Sequence, residues 1–345
     1  MKVNDLVQNE LGILNYRYIL LRELGSGGTS KVYKIKDSMS DKEYAAKLFL
    51  KKEQEHLIEN EVKINKMITQ LNNPFFVKYI SSSTGYLING KTSSLIPYII
   101  FELCSKGNPI SYLNYNQTGL EEKICKTFFY KILQIVKTLH KMGICHRDLK
   151  LDNFLIDGDC YNIKLGDFGF SSLILKKKNG KAKKITGQKG TPSYMAPEIF
   201  LEKPYDGEKA DIFSLGVILF NLRTSKFGFV EAKVVNYAKD IKGKLYNYIK
   251  EKKIETYWKI LETNANISGL SEEFKKLYIK MVSYDPNERP TIEEIYNDEW
   301  MKEIKDLNEE ELKLYENELI NELKKREEEM KVRKDYKKII LRVHR

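Results

Sequence analysis

The hydrophobic rhythm of the chain changes once, at the breaker Ser105-Lys106-Gly107-Asn108-Pro109. Before it, Tyr18-Ile19-Leu20-Leu21, Lys31-Val32-Tyr33-Lys34-Ile35 and Tyr44-Ala45-Ala46-Lys47-Leu48-Phe49 read as strands parted by Gly-rich or Asp/Ser-rich turns. One helical stretch interrupts them, with Leu57, Ile58, Val62, Ile64, Met67, Ile68 and Leu71 at spacings of three and four. After Pro97 the run Tyr98-Ile99-Ile100-Phe101 reads as a buried strand. From Glu121 onward the helical period takes over, as in Phe128, Phe129, Ile132, Leu133, Ile135, Val136 and Leu139. A chain of 345 residues is too long for one ordinary core. The pattern therefore predicts an α+β protein in two lobes, a small β-rich one followed by a larger helical one.

Composition narrows the class. Apolar residues make up 42 % and charged residues 31 %, a globular balance that excludes a disordered chain. The longest apolar stretch, Phe213 to Phe220, falls far short of the roughly 20 residues that span a bilayer, so no transmembrane segment is expected. The opening MKVNDLVQNELG has no hydrophobic run and does not read as a secretory leader. The net charge of +11 is spread among interspersed residues of both signs, so nucleic acid is not expected as a partner. Cys104, Cys125, Cys145 and Cys160 form no C-x-x-C pair, which points to a reducing intracellular setting, cytoplasmic or nuclear, without structural zinc.

Beyond Trp300 the chain from Lys305 to Arg345 is nearly all Glu, Lys, Arg, Leu and Ile, and reads as one long solvated helix, basic at its end. The Lys and Arg residues around Ile339, Ile340, Leu341 and Val343 would suit a calmodulin target or a membrane-surface helix. A plain charged extension or a coiled coil is the other reading.

The chemistry lies in a series of short motifs. Gly25-Ser26-Gly27-Gly28-Thr29-Ser30 stands between two strand candidates, where glycines let the backbone approach a phosphate. Alone it is a common hairpin, and no helix follows it as a Rossmann site requires. Lys47, between apolar strand neighbours, needs a partner for its ammonium, and Glu61 on the next helix is available. Then come Cys145-His146-Arg147-Asp148-Leu149-Lys150-Leu151-Asp152-Asn153 and Asp167-Phe168-Gly169. Phosphoryl transfer needs a positioner for the attacking hydroxyl, cations on the phosphate and oxygens holding magnesium. Asp148, Lys150, Asn153 and Asp167 can supply these. Gly190-Thr191-Pro192-Ser193-Tyr194-Met195-Ala196-Pro197-Glu198, Asp211-Ile212-Phe213-Ser214-Leu215-Gly216 and Glu288-Arg289-Pro290-Thr291 follow in order.

In this series the chain resembles the eukaryotic protein kinases, from about Tyr18 to Trp300, whose signature set these motifs match. Lys150 and the Gly-Thr-Pro-Ser-Tyr segment resemble the serine/threonine branch, with calcium/calmodulin-kinase-like or Polo-like features. The resemblance implies a bilobal fold with ATP in the cleft. It divides the chain into an extension over 1–17, a kinase domain over 18–302 (N-lobe 18–101, hinge 102–105, C-lobe 106–302) and a charged helical extension over 303–345. Gly25, Gly27 and Gly28 would cover the phosphates, and Lys47 would contact them while paired with Glu61. Val32, Ala45 and Leu155 would sandwich adenine, backbone groups of Glu102 and Cys104 would bind its edge, and Phe101 would be the gatekeeper. Asp148 would receive or orient the substrate hydroxyl proton, Lys150 would steady the γ-phosphate, and Asn153 and Asp167 would bind magnesium. The implied activity is ATP- and magnesium-dependent phosphorylation of serine and threonine in protein substrates. The alternative is a pseudokinase or nucleotide-binding scaffold.

Three positions depart from the family pattern. Ser30 stands for the third loop glycine, Phe213 for a commoner tryptophan, and Asn65 for an apolar residue, so that its amide must find a partner. Arg147 before Asp148 implies control by a phosphate on the segment from Asp167 to Glu198. Thr186 is the first candidate acceptor, with Ser171, Ser172 and Thr191 open. The lysines Lys176, Lys177, Lys178, Lys181, Lys183, Lys184 and Lys189 read either as a cluster that a phosphate would gather or as a solvated loop. Asp152 hints at a preference for basic substrates, while Asn108 replaces a second carboxylate such kinases often carry. His56, His140 and His344 are expected to be structural or solvent-facing.

Overall fold

In the computed structural model, residues 11–28, 30–50, 55–114, 118–175, 183–232, 245–265 and 267–343 are described, with side chains up to residue 332. They form two units. One runs up to Gly107 and regains Leu155–Gly158 and Lys164–Gly169; the other is the remainder from Asn108.

The first unit holds β1 (Ile13–Leu14), β2 (Tyr18–Ser26), β3 (Ser30–Asp37), β4 (Glu43–Phe49), helix α1 (Glu55–Gln70), β5 (Tyr79–Asn89) and β6 (Thr92–Glu102). The strands close into an antiparallel barrel in the order β1-β2-β3-β4-β6-β5, with Ile13 opposite Ile88 completing the ring. Successive strand residues point to opposite faces. Leu20, Ile35, Ala46, Leu48, Tyr98 and Ile100 accordingly share one cluster, while Phe49, Ile99 and Phe101 join Val77 in another, with Ile58 and Val62 of α1 packed against it. Lys47 belongs to the second face.

Two features differ from expectation. The first sheet begins before Tyr18, inside the stretch read as an extension: β1 turns into β2 through Asn15 and Tyr16, both with φ above +50°, and Arg17 N–H bonds the Leu14 carbonyl at 3.2 Å. Two consecutive positive φ values are what a tight hairpin of matching twist requires. The strand expected over Tyr98–Phe101 is also longer, because Asn89 and Thr92 close a two-residue turn at Gly90-Lys91. Pro97 is tolerated because it pairs only with Thr84 of β5; the ladder to β4 starts one residue later, at Leu48–Tyr98.

The second unit contains α2 (Pro109–Asn114), α3 (Glu122–Lys141), β7 (Ile144–Cys145) and β10 (Ser172–Leu173) as a two-stranded ladder, and α4 (Gly207–Thr224). The short strands β8 (Phe154–Asp157) and β9 (Asn162–Leu165) come between β7 and β10. Helix α4 is buried from Ala210 to Leu222 and capped by Asp206, whose carboxylate accepts the Glu208 and Lys209 N–H groups. Phe213 is fully buried, with the Arg289 guanidinium 5.0 Å over its ring and Phe229 and Tyr246 beside it. Then follow α5 (Leu245–Lys250), α6 (Ile254–Asn264), α7 (Glu272–Met281), α8 (Ile292–Tyr296), α9 (Lys302–Lys305) and α10 (Glu309–Val343). The long terminal helix thus starts later than expected, because Asn308 caps it by accepting the Glu310 and Glu311 N–H groups. Nor is it solvated all round, since Leu319 and Leu323 are buried; each contributes roughly 1.5–3 kcal/mol. The basic stretch around Ile339 lies outside the described side chains. No helix among the described residues is long and apolar enough to cross a membrane.

Candidate active site

Within the first unit, β4 places Lys47 opposite Val32 of β3 and Ile99 of β6. Its side chain is buried, as is that of Glu61. The ammonium meets both Glu61 oxygens, at 2.7 and 2.9 Å, and Asp167 Oδ1 at 2.7 Å. Burial alone would lower the Lys47 pKa, but the Asp167 and Glu61 charges outweigh it and hold the group above the ordinary lysine value. For Glu61, burial pushes the carboxyl upward against the pull of Lys47. Asp167 takes φ +57°, Phe168 is fully buried edge-on to Phe76, and a Cβ at Gly169 would press on Glu61 Oε2 at 3.1 Å. A larger residue there would crowd the three charged groups. Asn65 finds its partner in the helix itself, donating from Nδ2 to the Glu61 carbonyl at 2.9 Å.

Ala45, Cys104 and Leu155, three of the adenine candidates, pack against the Phe49, Val77, Ile99 and Phe101 cluster. Phe101 lies edge-on to Tyr79. Val32 is half-buried opposite Gly25 in the β2–β3 ladder. Among the described residues a Cβ at Gly25 or Gly28 would meet nothing within 4 Å, and at Gly27 only the Ser30 carbonyl at 3.8 Å. No described neighbour crowds these three positions, so packing does not account for the glycines. Ser30 is buried as the first residue of β3, its carbonyl taking the Gly27 N–H at 2.8 Å. The Glu102 N–H is spent on the Lys78 carbonyl, and its carboxylate pairs with Lys164 at 2.9 Å. The backbone groups of Cys104 make no hydrogen bond among the described residues, as an adenine edge would need. Burial, then the Asp157 and Glu102 charges, push the Cys104 thiol up to about 12.

Within the second unit, Asp148 is 5 % exposed. Its Oδ1 accepts from the Thr191 hydroxyl at 2.8 Å, and Lys150 Nζ lies 3.1 Å from Oδ2 and 2.9 Å from Thr191 Oγ1. Asn153 donates from Nδ2 to the Asp148 carbonyl at 2.8 Å, and its Oδ1, which accepts from no donor among the described residues, has the chemistry to ligate a cation. A carboxylate, an ammonium and an amide on one short loop thus meet the hydroxyl of the distant Thr191.

Asp211 supports that loop, a role the sequence did not reveal. Its buried carboxylate accepts the His146 and Arg147 N–H groups at 2.8 Å each and contacts His140 Nε2 at 2.9 Å. The backbone needs such support because Arg147 takes φ +67°. A charged residue just two positions before the apolar run Phe213–Phe220 was the available signal. Arg147 donates from Nε to the Tyr205 hydroxyl and from Nη2 to the Thr186 and Gly187 carbonyls at 2.9 and 3.1 Å. Of the candidate acceptors Thr186 is exposed, whereas Ser171 is buried with its hydroxyl on the His146 carbonyl and Thr191 is committed to Asp148. Lys183 and Lys184 are exposed and Lys189 lies over the Phe170 ring; the remaining activation-segment lysines fall outside the described residues. Asp152 is exposed, and Asn108 is occupied with Ser111 at the start of α2. Further on, Arg289, fully buried, grips Glu198 through paired bonds of 2.7 and 2.6 Å.

A model of the protein kinase domain matches residues 18–301. The chain is 30 % identical over 291 residues to serine/threonine-protein kinase polo of Drosophila melanogaster, covering 83 % of this chain and 44 % of that one. It is 34 % identical over 208 residues to the SNF-related serine/threonine-protein kinase of Homo sapiens, covering 60 % and 24 %. With CBL-interacting protein kinase 26 of Oryza sativa subsp. japonica it shares 29 % over 297 residues, covering 86 % and 54 %. The chain spans about half or less of the length of these relatives.

Proposed function

This chain belongs to the protein kinase superfamily, serine/threonine branch, and we propose that it transfers the γ-phosphate of ATP to serine and threonine hydroxyls of protein substrates. The observation that carries the reading is the buried ammonium of Lys47 held between Glu61 and Asp167. The cluster carries one positive and two negative charges, so it would take a phosphate chain together with a divalent cation, with Asp167 turning to the metal and Lys47 to the phosphates. When bound, magnesium and ATP supply the transferable phosphoryl group and neutralise its charge. Lys47 contacts the phosphates, Glu61 orients it, and Gly25, Gly27 and Gly28 give the covering loop its close approach. Val32, Ala45 and Leu155 enclose adenine, and the backbone of Glu102 and Cys104 reads its edge. Asp167 and Asn153 are the oxygen donors for magnesium, Asp148 orients the substrate hydroxyl and takes its proton, and Lys150 steadies the phosphate. Turnover of about 1–100 s⁻¹ is ordinary for such a site.

The kinase-homologous part is taken as residues 18–302, with an N-lobe, hinge and C-lobe at 18–101, 102–105 and 106–302, and β1 before it and α10 after it are packed into the fold. Phosphorylation of Thr186 controls the rate through Arg147. The basic stretch from Lys331 onward is the segment offered to a regulatory partner such as calmodulin, and the setting is intracellular, cytoplasmic or nuclear. The test is incubation of the chain with γ-labelled ATP, magnesium and a basic protein substrate, beside Asp148→Asn. Label on serine and threonine from the parent alone supports the reading; equal labelling by both rejects it.

A further inference from the structure

Helix α10 lies beyond the residues matched by the kinase-domain model, yet it is built into the second unit. Leu319 and Leu323 are buried, and Glu316 and Glu318 pair with Lys131 and Lys123 of α3, each at 2.6 Å. One turn further stands Arg326, 5 % exposed. A guanidinium is buried so deeply only where its donors are met. Nε donates to Glu322 at 2.6 Å, Nη1 to the carbonyls of Tyr112 and Thr118 at 3.2 and 3.1 Å, and Nη2 to that of Gly119 at 3.1 Å. The planar fork of arginine can reach carbonyls in several directions at once, as a lysine ammonium cannot.

The groups it holds lead to the candidate active site. Tyr112 belongs to α2, which packs on Leu151–Asn153. Gly119, whose carbonyl Arg326 holds, is pressed against the end of α4, where a Cβ would collide with the Arg223 carbonyl. The neighbouring Glu327 accepts from the Tyr161 hydroxyl, and the Tyr161 and Tyr112 rings meet edge-on at 6.5 Å. Tyr161 lies in the connection that follows β8, the strand beginning next to Asn153. One turn of α10 therefore clasps both segments that flank Leu151–Asn153.

We propose that Arg326 is a positioning residue for phosphoryl transfer: by fixing α2 and Tyr161 it sets the place of Asn153 and of the loop back to Asp148. The roles of Asn153 and Asp148 rest on the kinase reading; the coupling of Arg326 to Leu151–Asn153 does not.

The test uses the full chain as parent, Arg326→Ala, Arg326→Lys and, as a control at the same helix face, Glu316→Gln. Hydrogen exchange is followed in α2 and in the stretch 148–157, and the magnesium requirement is measured at saturating ATP. In Arg326→Ala, exchange over 148–157 quickens at least about fivefold and half-saturating magnesium rises about tenfold, while Glu316→Gln stays at parent values. A partly unfolded preparation would lower the rate without moving the magnesium requirement. A folded Arg326→Ala with parent exchange over 148–157, or with the parent's magnesium requirement, overturns the proposal. If Arg326→Ala does not fold, Arg326→Lys carries the same comparison. A parent without phosphoryl transfer would remove the kinase reading, and exchange over 148–157 would then decide the coupling by itself.

Discussion

Lys47 Nζ and Asp167 Oδ1 lie 2.7 Å apart although 120 residues separate them in the chain. Glu61 holds the same ammonium from α1, so removing it deprives two carboxylates of their shared cation. Lys47→Met should lower phosphoryl transfer at least about 100-fold, measured as initial rate on a basic protein substrate with the fold checked by circular dichroism. A variant at parent rate would take Lys47 out of the site.

Asp148 offers a carboxylate bound to Thr191 and Lys150, and Asp148→Asn keeps its size while removing its basicity. Transfer should fall about 10²–10⁴-fold with nucleotide affinity retained, as read by single-turnover kinetics and fluorescent-nucleotide titration. Loss of affinity with an unchanged rate would reverse the assignment.

Arg289 and Glu198 form a paired contact with the guanidinium fully buried. Arg289→Ala leaves the Glu198 carboxylate without its partner and should destabilise the chain by about 3–5 kcal/mol, visible in urea unfolding. A loss comparable with an exposed pair, below about 1 kcal/mol, would contradict that.

The Arg17 bond, with help from the Met39 N–H and the Ser40 hydroxyl, holds the Asp37 carboxyl well below the ordinary value of 3.8 despite its burial. A depressed carboxyl contributes stability above its unfolded pKa and loses it as the pH falls through the folded one. Asp37→Asn should therefore be less stable than the parent at neutral pH, with the gap closing as the pH is taken below about 4. A gap that widens in acid has the wrong sign for this account.

Thr186 is exposed, and its carbonyl already lies 2.9 Å from Arg147 Nη2. A phosphate on its hydroxyl would add a charge-assisted bond in the same neighbourhood. Thr186→Ala should lower the rate several-fold, and phosphatase should bring the parent down to the variant. Parent and variant at equal rates before phosphatase would remove Thr186 from control.

The site was more legible than the scaffold. Asp148, Lys150 and Asn153 sit in one short run because a single loop carries them, and Asp167 stands in a run of its own beside Phe168 and Gly169, so order and spacing survive in the sequence. Strand β5 was illegible because Ser81, Ser82, Ser83 and Thr84 give no alternation of apolar and polar residues, and its pairing with β6 comes from the turn at Gly90. Strand β1 is only two residues long, below the length at which any period shows. In α10 the buried face falls at Leu319, Leu323 and Arg326, and a buried arginine in a charged helix reads like any solvated one. Asp211 stood in a quoted motif, but its anchoring of the Arg147 backbone depends on φ +67°, which no composition reveals.

The most direct measurement is calorimetric titration of the full chain with ATP, with and without magnesium, beside Asp167→Asn. The account predicts one nucleotide per chain, tighter with magnesium for the parent, and loss of the magnesium gain in the variant. No heat of binding in either condition, or a magnesium gain undiminished in Asp167→Asn, would contradict it.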